Sequence, residues 1–114
     1  MTLHDAQALH VRLTAKLITF AYAAGFTLSW GETFRTAAQA ALNAANGSGI
    51  AASLHCQRLA VDFQVFKDGV YLTDPAPYKL MGDYWKSLDP SCCWGGDFTT
   101  RDYDHYSIGW GGRK

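Results

Sequence analysis

Cysteine is scarce in this chain of 114 residues: Cys56, Cys92 and Cys93 are the only three, an odd number with two adjacent. A disulfide framework fits that pattern poorly, and free thiols are expected. An excess of charge of one sign is also missing. Ten Lys and Arg balance ten Asp and Glu for a formal net charge of 0, with an isoelectric point near 6.9. Nothing here is basic enough to make nucleic acid or an anionic membrane surface the main partner. No long hydrophobic run occurs either. The apolar stretch from Leu17 to Phe26 falls well short of the ~20 residues a membrane span needs, so stable membrane insertion is not expected. Met1-Thr2-Leu3-His4-Asp5 lacks a basic segment and a small-residue cleavage site, which makes a secretory signal a poor reading and the cytoplasm the expected compartment. Repeats and low-complexity linkers are absent. One domain over 1–114, monomeric, is the expectation.

What is present is ordinary globular composition, 48% hydrophobic and 14% aromatic. Thr2 and Asp5 have capping-box spacing, and Leu9, Leu13, Leu17 and Ala21 repeat every fourth residue before Gly25, predicting a helix over 3–24. His4 and His10 fall outside that stripe and are expected on the surface. Phe26 to Trp30 alternates like a short strand. The alanine-rich run Thr36 to Asn46 predicts a second helix closed by Gly47, with Asn46 to Gly49 as a loop. Leu59 to Phe66 alternates, Lys67-Asp68-Gly69 turns, and Val70 to Thr73 returns as a hairpin. Asp74-Pro75 begins a third helix carrying Tyr78, Met81, Trp85 and Leu88. Trp94 to Phe98 reads as a turn and Gly109 to Lys114 as a loose tail. The fold class expected is α+β, a small antiparallel sheet flanked by about three helices.

Two stretches carry chemistry. Ser53 to Asp62 holds His55 and Asp62 seven residues apart, and Asp102-Tyr103-Asp104-His105 adds a second histidine with two acids beside it. Two imidazoles and a carboxylate are a ligand set for hydrolytic zinc, with a coordination position left for a water that the ion acidifies from 15.7 to about 7. The spacing constrains the backbone. Seven residues span about 10 Å along a helix and about 23 Å, ending on opposite faces, along a strand. Bonds to one ion are about 2 Å long. If His55 and Asp62 share a metal the chain must bend, and Cys56-Gln57-Arg58 is the expected bend. Asp102 is preferred over Asp104 as a general base, since one turn of chain separates it from His105. Arg35 and Gln39 share a face if a helix begins near Thr33, and a guanidinium suits a peptide carboxylate or a developing oxyanion. Arg58 is either a contact for an acidic substrate or a solvated loop residue. Trp94 is either core or a wall of the cleft. The cysteines lack the spacing of a structural zinc site.

Taken together, Phe34-Arg35-Thr36 with Gln39, then Ser-x-His-x6-Asp entering a strand, then Trp-Gly-Gly and Asp-x-x-His resemble one family. It is that of the zinc D-alanyl-D-alanine carboxypeptidases and L-alanyl-D-glutamate endopeptidases, small phage endolysins included. The resemblance covers Glu32 to Ser107, roughly two-thirds of the chain. It implies a hedgehog/D-Ala-D-Ala-peptidase-like fold and a zinc ion on His55, Asp62 and His105. Asp102 would be the general base, Arg35 and Gln39 would contact substrate, and the substrate would be the peptide stem of bacterial peptidoglycan. Two departures stand out: Arg58 replaces a frequent glycine, and Asp102 occupies a position where many members carry glutamate. The endolysin reading implies release through the membrane before the wall is reached. Its rivals are a D-Ala-D-Ala carboxypeptidase of the same family and a non-catalytic wall-binding or virion module.

Overall fold

The computed structural model describes residues 1–47 and 53–114. The chain runs α1 (Leu3–Ala23), β1 (Thr27–Trp30), α2 (Ala37–Ala45), a 3₁₀ turn (Leu54–Gln57), β2 (Ala60–Lys67), β3 (Val70–Tyr71), α3 (Pro75–Leu88), β4 (Cys92–Trp94), a second 3₁₀ turn (Gly95–Asp97) and β5 (His105–Ile108). This is the α+β architecture expected, three helices around a five-stranded antiparallel sheet. Among the described residues no helix is long and apolar enough to cross a membrane.

Local chemistry starts and stops the helices where the sequence signals stood. The Thr2 hydroxyl accepts from Asp5 N–H and the Asp5 carboxylate accepts from Thr2 N–H, closing the capping box on α1. Asp74 caps α3 ahead of Pro75, whose missing N–H costs nothing in the first turn. Asn46 and Gly47 close α2 as a turn; the rest of that expected loop, Ser48 and Gly49, lies outside the described residues.

β2 organises the sheet. β1 runs along one edge of it, with Leu28 opposite Val65 and Trp30 opposite Phe63. The other edge takes β3 at the far end and β5 at the near end, and β4 lies beyond β5. Val61, Phe63 and Val65 alternate into the core with Tyr106 and Ile108 of β5, while α1 and α3 contribute Leu13, Leu17, Met81 and Trp85. Tyr78 ties α3 to the hairpin, its hydroxyl donating to Leu72 O and accepting from Val65 N–H. The indole of Trp85 donates to Ser107 O at 3.1 Å.

Two expectations are corrected. Residues 109–114 are not a loose tail, because Trp110 and Arg113 exchange both backbone hydrogen bonds at 3.0 Å. His10 is not a surface residue; it is 6% exposed. Its Nε2 donates to Tyr106 O at 3.2 Å and its ring meets Trp85 edge-on, which meets the polar demand of the imidazole inside the core. Burial lowers His10 from 6.5 to about 4, against the opposing backbone hydrogen bond. Between those values the unfolded chain binds the proton and the folded chain does not, so stability falls as pH drops through that window. The loss attributable to His10 reaches about 3 kcal/mol only as pH falls to the folded value, taking 1.36 kcal/mol per unit. Urea unfolding of wild type and His10→Leu from pH 7 to pH 4 checks it. The stability of wild type minus that of His10→Leu should fall as pH falls, and a constant difference refutes the assignment.

Candidate metal centre

The site is built across β2 and β5. Asp62 stands directly opposite His105 in the ladder, so both side chains leave the same face, away from Val61, Phe63 and Tyr106. The third residue arrives by a bend. The Ser53 hydroxyl accepts from His55 N–H at 3.2 Å and starts a single 3₁₀ turn. Arg58 then closes it in the left-handed conformation, φ 59° and ψ 35°. Leu59 N–H returns to Leu54 O at 3.1 Å. The reversal therefore lies at Cys56 to Arg58, as the spacing demanded. An arginine takes the conformation that glycine adopts freely, at a cost on the order of 1 kcal/mol. Its guanidinium lies 4.1 Å from the centre of the Phe34 ring, a stacking contact that offsets part of that strain.

The three residues converge. His55 Nε2 lies 3.3 Å from Asp62 Oδ1, and His105 Nδ1 lies 3.6 Å from the same oxygen. All three candidate ligand atoms fall within 4.8 Å of one another. His55 is 2% exposed and His105 is 5% exposed. Asp62 Oδ1 is buried and has no hydrogen-bond partner. A tetrahedral ion with bonds of 2.0–2.1 Å holds its ligands about 3.3 Å apart. The donor set and its spacing therefore fit a divalent cation, and two imidazoles favour zinc over magnesium or calcium. Burial pushes the Asp62 carboxyl up, but the imidazoles of His105 and His55 beside it outweigh burial and hold it below the usual range.

Around this centre, Asp102 Oδ2 lies 3.7 Å from His105 Nδ1, the nitrogen that also faces Asp62. Its position is fixed through the backbone: Asp102 N–H donates to Gly95 O at 2.9 Å and His105 N–H donates to Asp102 O at 3.2 Å. Asp104 is half-buried. Burial first, then its hydrogen bond with Asp102 and the charge of Asp62, push it up to about 8. Asp102 and Asp104 therefore stand close enough for the charge of one to oppose that of the other. Phe98 packs against the His105 ring, with centroids 5.3 Å apart.

No protein-family model matches the sequence, and no curated protein matches it. Among solved structures, the chain matches the crystal structure of Serratia marcescens L-Ala D-Glu endopeptidase ChiX with a TM-score of 0.70 and 22% sequence identity. The match covers 88% of this chain and 80% of that chain. The two share a fold.

On this scaffold one site expectation changes and another is decided. Arg35 and Gln39 do not share a helix face, because Thr36 is the N-cap of α2 and leaves Arg35 outside the helix. Arg35 instead pairs with Glu32 and donates its N–H to His55 O at 3.2 Å, whereas the exposed Gln39 amide donates to Asn43 on its own helix. Trp94 is core, not a cleft wall; it is 4% exposed. Its indole N–H donates to Tyr103 O at 2.7 Å, and a Cβ added at Gly82 or Gly96 would penetrate its ring. The Trp-Gly-Gly motif thus anchors the loop that carries Asp102. The cysteines are free, and burial pushes the Cys92 thiol up to about 12, too high for a thiolate at neutral pH.

Sequence reasoning gave Glu32 no role. Its Oε1 lies 3.5 Å from His55 Nδ1 and also pairs with Arg35 Nη2. A carboxylate three residues before Arg35 was the only signal.

Proposed function

We propose that residues 1–114 form a zinc metallopeptidase domain that hydrolyses the peptide stem of bacterial peptidoglycan, as an endolysin of the L-alanyl-D-glutamate endopeptidase type. The observation that carries this is the convergence of ligand atoms of His55, Asp62 and His105 within 4.8 Å of one another, with Asp62 Oδ1 buried and unpartnered. The shared fold with an L-Ala D-Glu endopeptidase supports the substrate class.

His55, Asp62 and His105 would hold the ion. When bound, it supplies Lewis acidity, polarising a carbonyl and acidifying water from 15.7 to about 7. Asp102 accepts the proton of the attacking water and returns it to the leaving amine as the C–N bond breaks. Asp102 is preferred over Asp104 for this step because its Oδ2 lies 3.7 Å from His105 Nδ1, a candidate ligand atom. Arg35, held by Glu32, presents its guanidinium to a carboxylate or developing oxyanion of the peptide, and Gln39 is proposed as a further substrate contact. The enzyme would act on the wall after release from the cytoplasm through the membrane.

Elemental analysis of the purified protein should find about one zinc per chain. Turbidity of a peptidoglycan suspension should fall with the protein and stay constant once a chelator has removed the metal. A metal-free protein that clears the suspension equally well rules the reading out. Mass spectra of the digested muropeptides then decide the bond. Cleavage between L-Ala and D-Glu is expected; loss of a single terminal alanine identifies a carboxypeptidase, and no cleavage at all identifies a binding or virion module.

A further inference from the structure

Glu32 lies where β1 continues past Trp30 along the edge of β2. Gly31 N–H donates to Asp62 O at 2.8 Å, and Asp62 N–H donates to Glu32 O at 2.9 Å. Asp62 is thus braced on both edges, by Glu32 on one and His105 on the other. The Glu32 side chain turns to the second imidazole. Its Oε1 lies 3.5 Å from His55 Nδ1, a buried nitrogen with no hydrogen-bond partner, and the same oxygen receives Arg35 Nη2. Glu32 is the first cause that raises the Arg35 guanidinium, by hydrogen bonding. Arg35 closes the ring by donating its backbone N–H to His55 O at 3.2 Å.

An imidazole that binds a cation through one nitrogen carries its proton on the other, and that proton needs an acceptor. A carboxylate in that place fixes the tautomer and the ring orientation and makes the ligating nitrogen more basic. Nε2 of His55 faces Asp62 and Nδ1 faces Glu32. At 3.5 Å the Glu32 carboxylate lies just beyond the usual range of about 2.7–3.2 Å for an N–H···O bond, and it is the acid that faces this nitrogen.

We infer that Glu32 is a positioning residue of the metal centre. It accepts from the N–H that His55 keeps on Nδ1, so that Nε2 is the nitrogen offered to the cation, and with the same oxygen it fixes the Arg35 guanidinium beside the site. This inference rests on the metal-centre reading for its metal-binding consequence, though not for the tautomer.

The experiment compares wild type, Glu32→Ala and Glu32→Gln in three measurements. These are zinc affinity by competition with a chromophoric chelator, the His55 tautomer in the metal-free protein by long-range 1H–15N correlation, and KM against kcat on peptidoglycan fragments. Glu32→Ala should bind zinc about 10–100-fold more weakly, lose the preference for a proton on Nδ1, and raise KM through the freed Arg35. Glu32→Gln keeps a carbonyl acceptor but no charge and should fall near tenfold, at the weaker end of that range. If Glu32→Ala fails to fold, Glu32→Gln carries the test. Wild-type zinc affinity with an unchanged His55 tautomer in either folded variant overturns the inference. Should wild type itself bind no zinc, the metal reading fails, and the tautomer in the metal-free protein still decides whether Glu32 holds His55.

Discussion

Asp102→Asn is expected to keep about one equivalent of zinc while hydrolysis falls by a factor on the order of 10²–10⁴. Asparagine has nearly the shape of aspartate, so the backbone bonds that hold this residue, to Gly95 O and from His105 N–H, are unaffected. The three candidate ligands are also untouched. What disappears is the oxygen that takes a proton, 3.7 Å from His105 Nδ1. His55→Ala is the contrasting variant. It removes one of the three ligand atoms from a buried site, leaving Asp62 and His105, and zinc should be lost along with turnover. Elemental analysis and initial rates measured on the same preparations separate the two effects. If Asp102→Asn turns over within twofold of wild type, Asp102 is not the base, and Asp104→Asn becomes the variant to measure.

The second large effect is on stability. A Cβ at Gly95 would lie 2.0 Å from Asp102 O and 2.8 Å from the His105 Cβ. Neither neighbour is the free end of a flexible side chain. Asp102 O accepts from His105 N–H, and His105 is held opposite Asp62 by the ladder. Gly95→Ala therefore has to displace the loop backbone, at a cost on the order of 3 kcal/mol or more. At roughly 4 °C per kcal/mol for a domain of this size, melting should come at least about 10 °C earlier. Gly109→Ala is the control. There a Cβ would come no closer than 3.4 Å to any neighbour. Equal melting temperatures for the two variants would mean that the loop yields freely and is not fixed as described.

The sequence was most readable where one local signal governs one element. The Thr2–Asp5 box, the Asp74 cap, the alanine-rich run of α2 and the alternation of β2 each identified their elements to within a residue or two. β4 and β5 went unread for a physical reason. β4 has three residues and β5 four, so the alternation of His105 and Ser107 with Tyr106 and Ile108 is too brief to stand out as a strand. His10 was misassigned because the stripe on α1 was traced through apolar residues alone, whereas a buried carbonyl can accept from an imidazole. Arg35 and Gln39 looked paired until the cap at Thr36 separated them. At the site, the bend was legible from the length between His55 and Asp62. The place of Glu32 was not, since it depends on β1 running on beside Asp62, a pairing that no local pattern records.

The cross-strand pairing of Asp62 with His105 has a consequence for how activity is lost. Were β5 to part from β2, His105 and the Asp102 loop would leave in the same motion, and His10 of α1 and Trp85 of α3 would lose the β5 carbonyls they donate to. Loss of the metal centre and melting of the helices should therefore coincide in one transition under heat or denaturant.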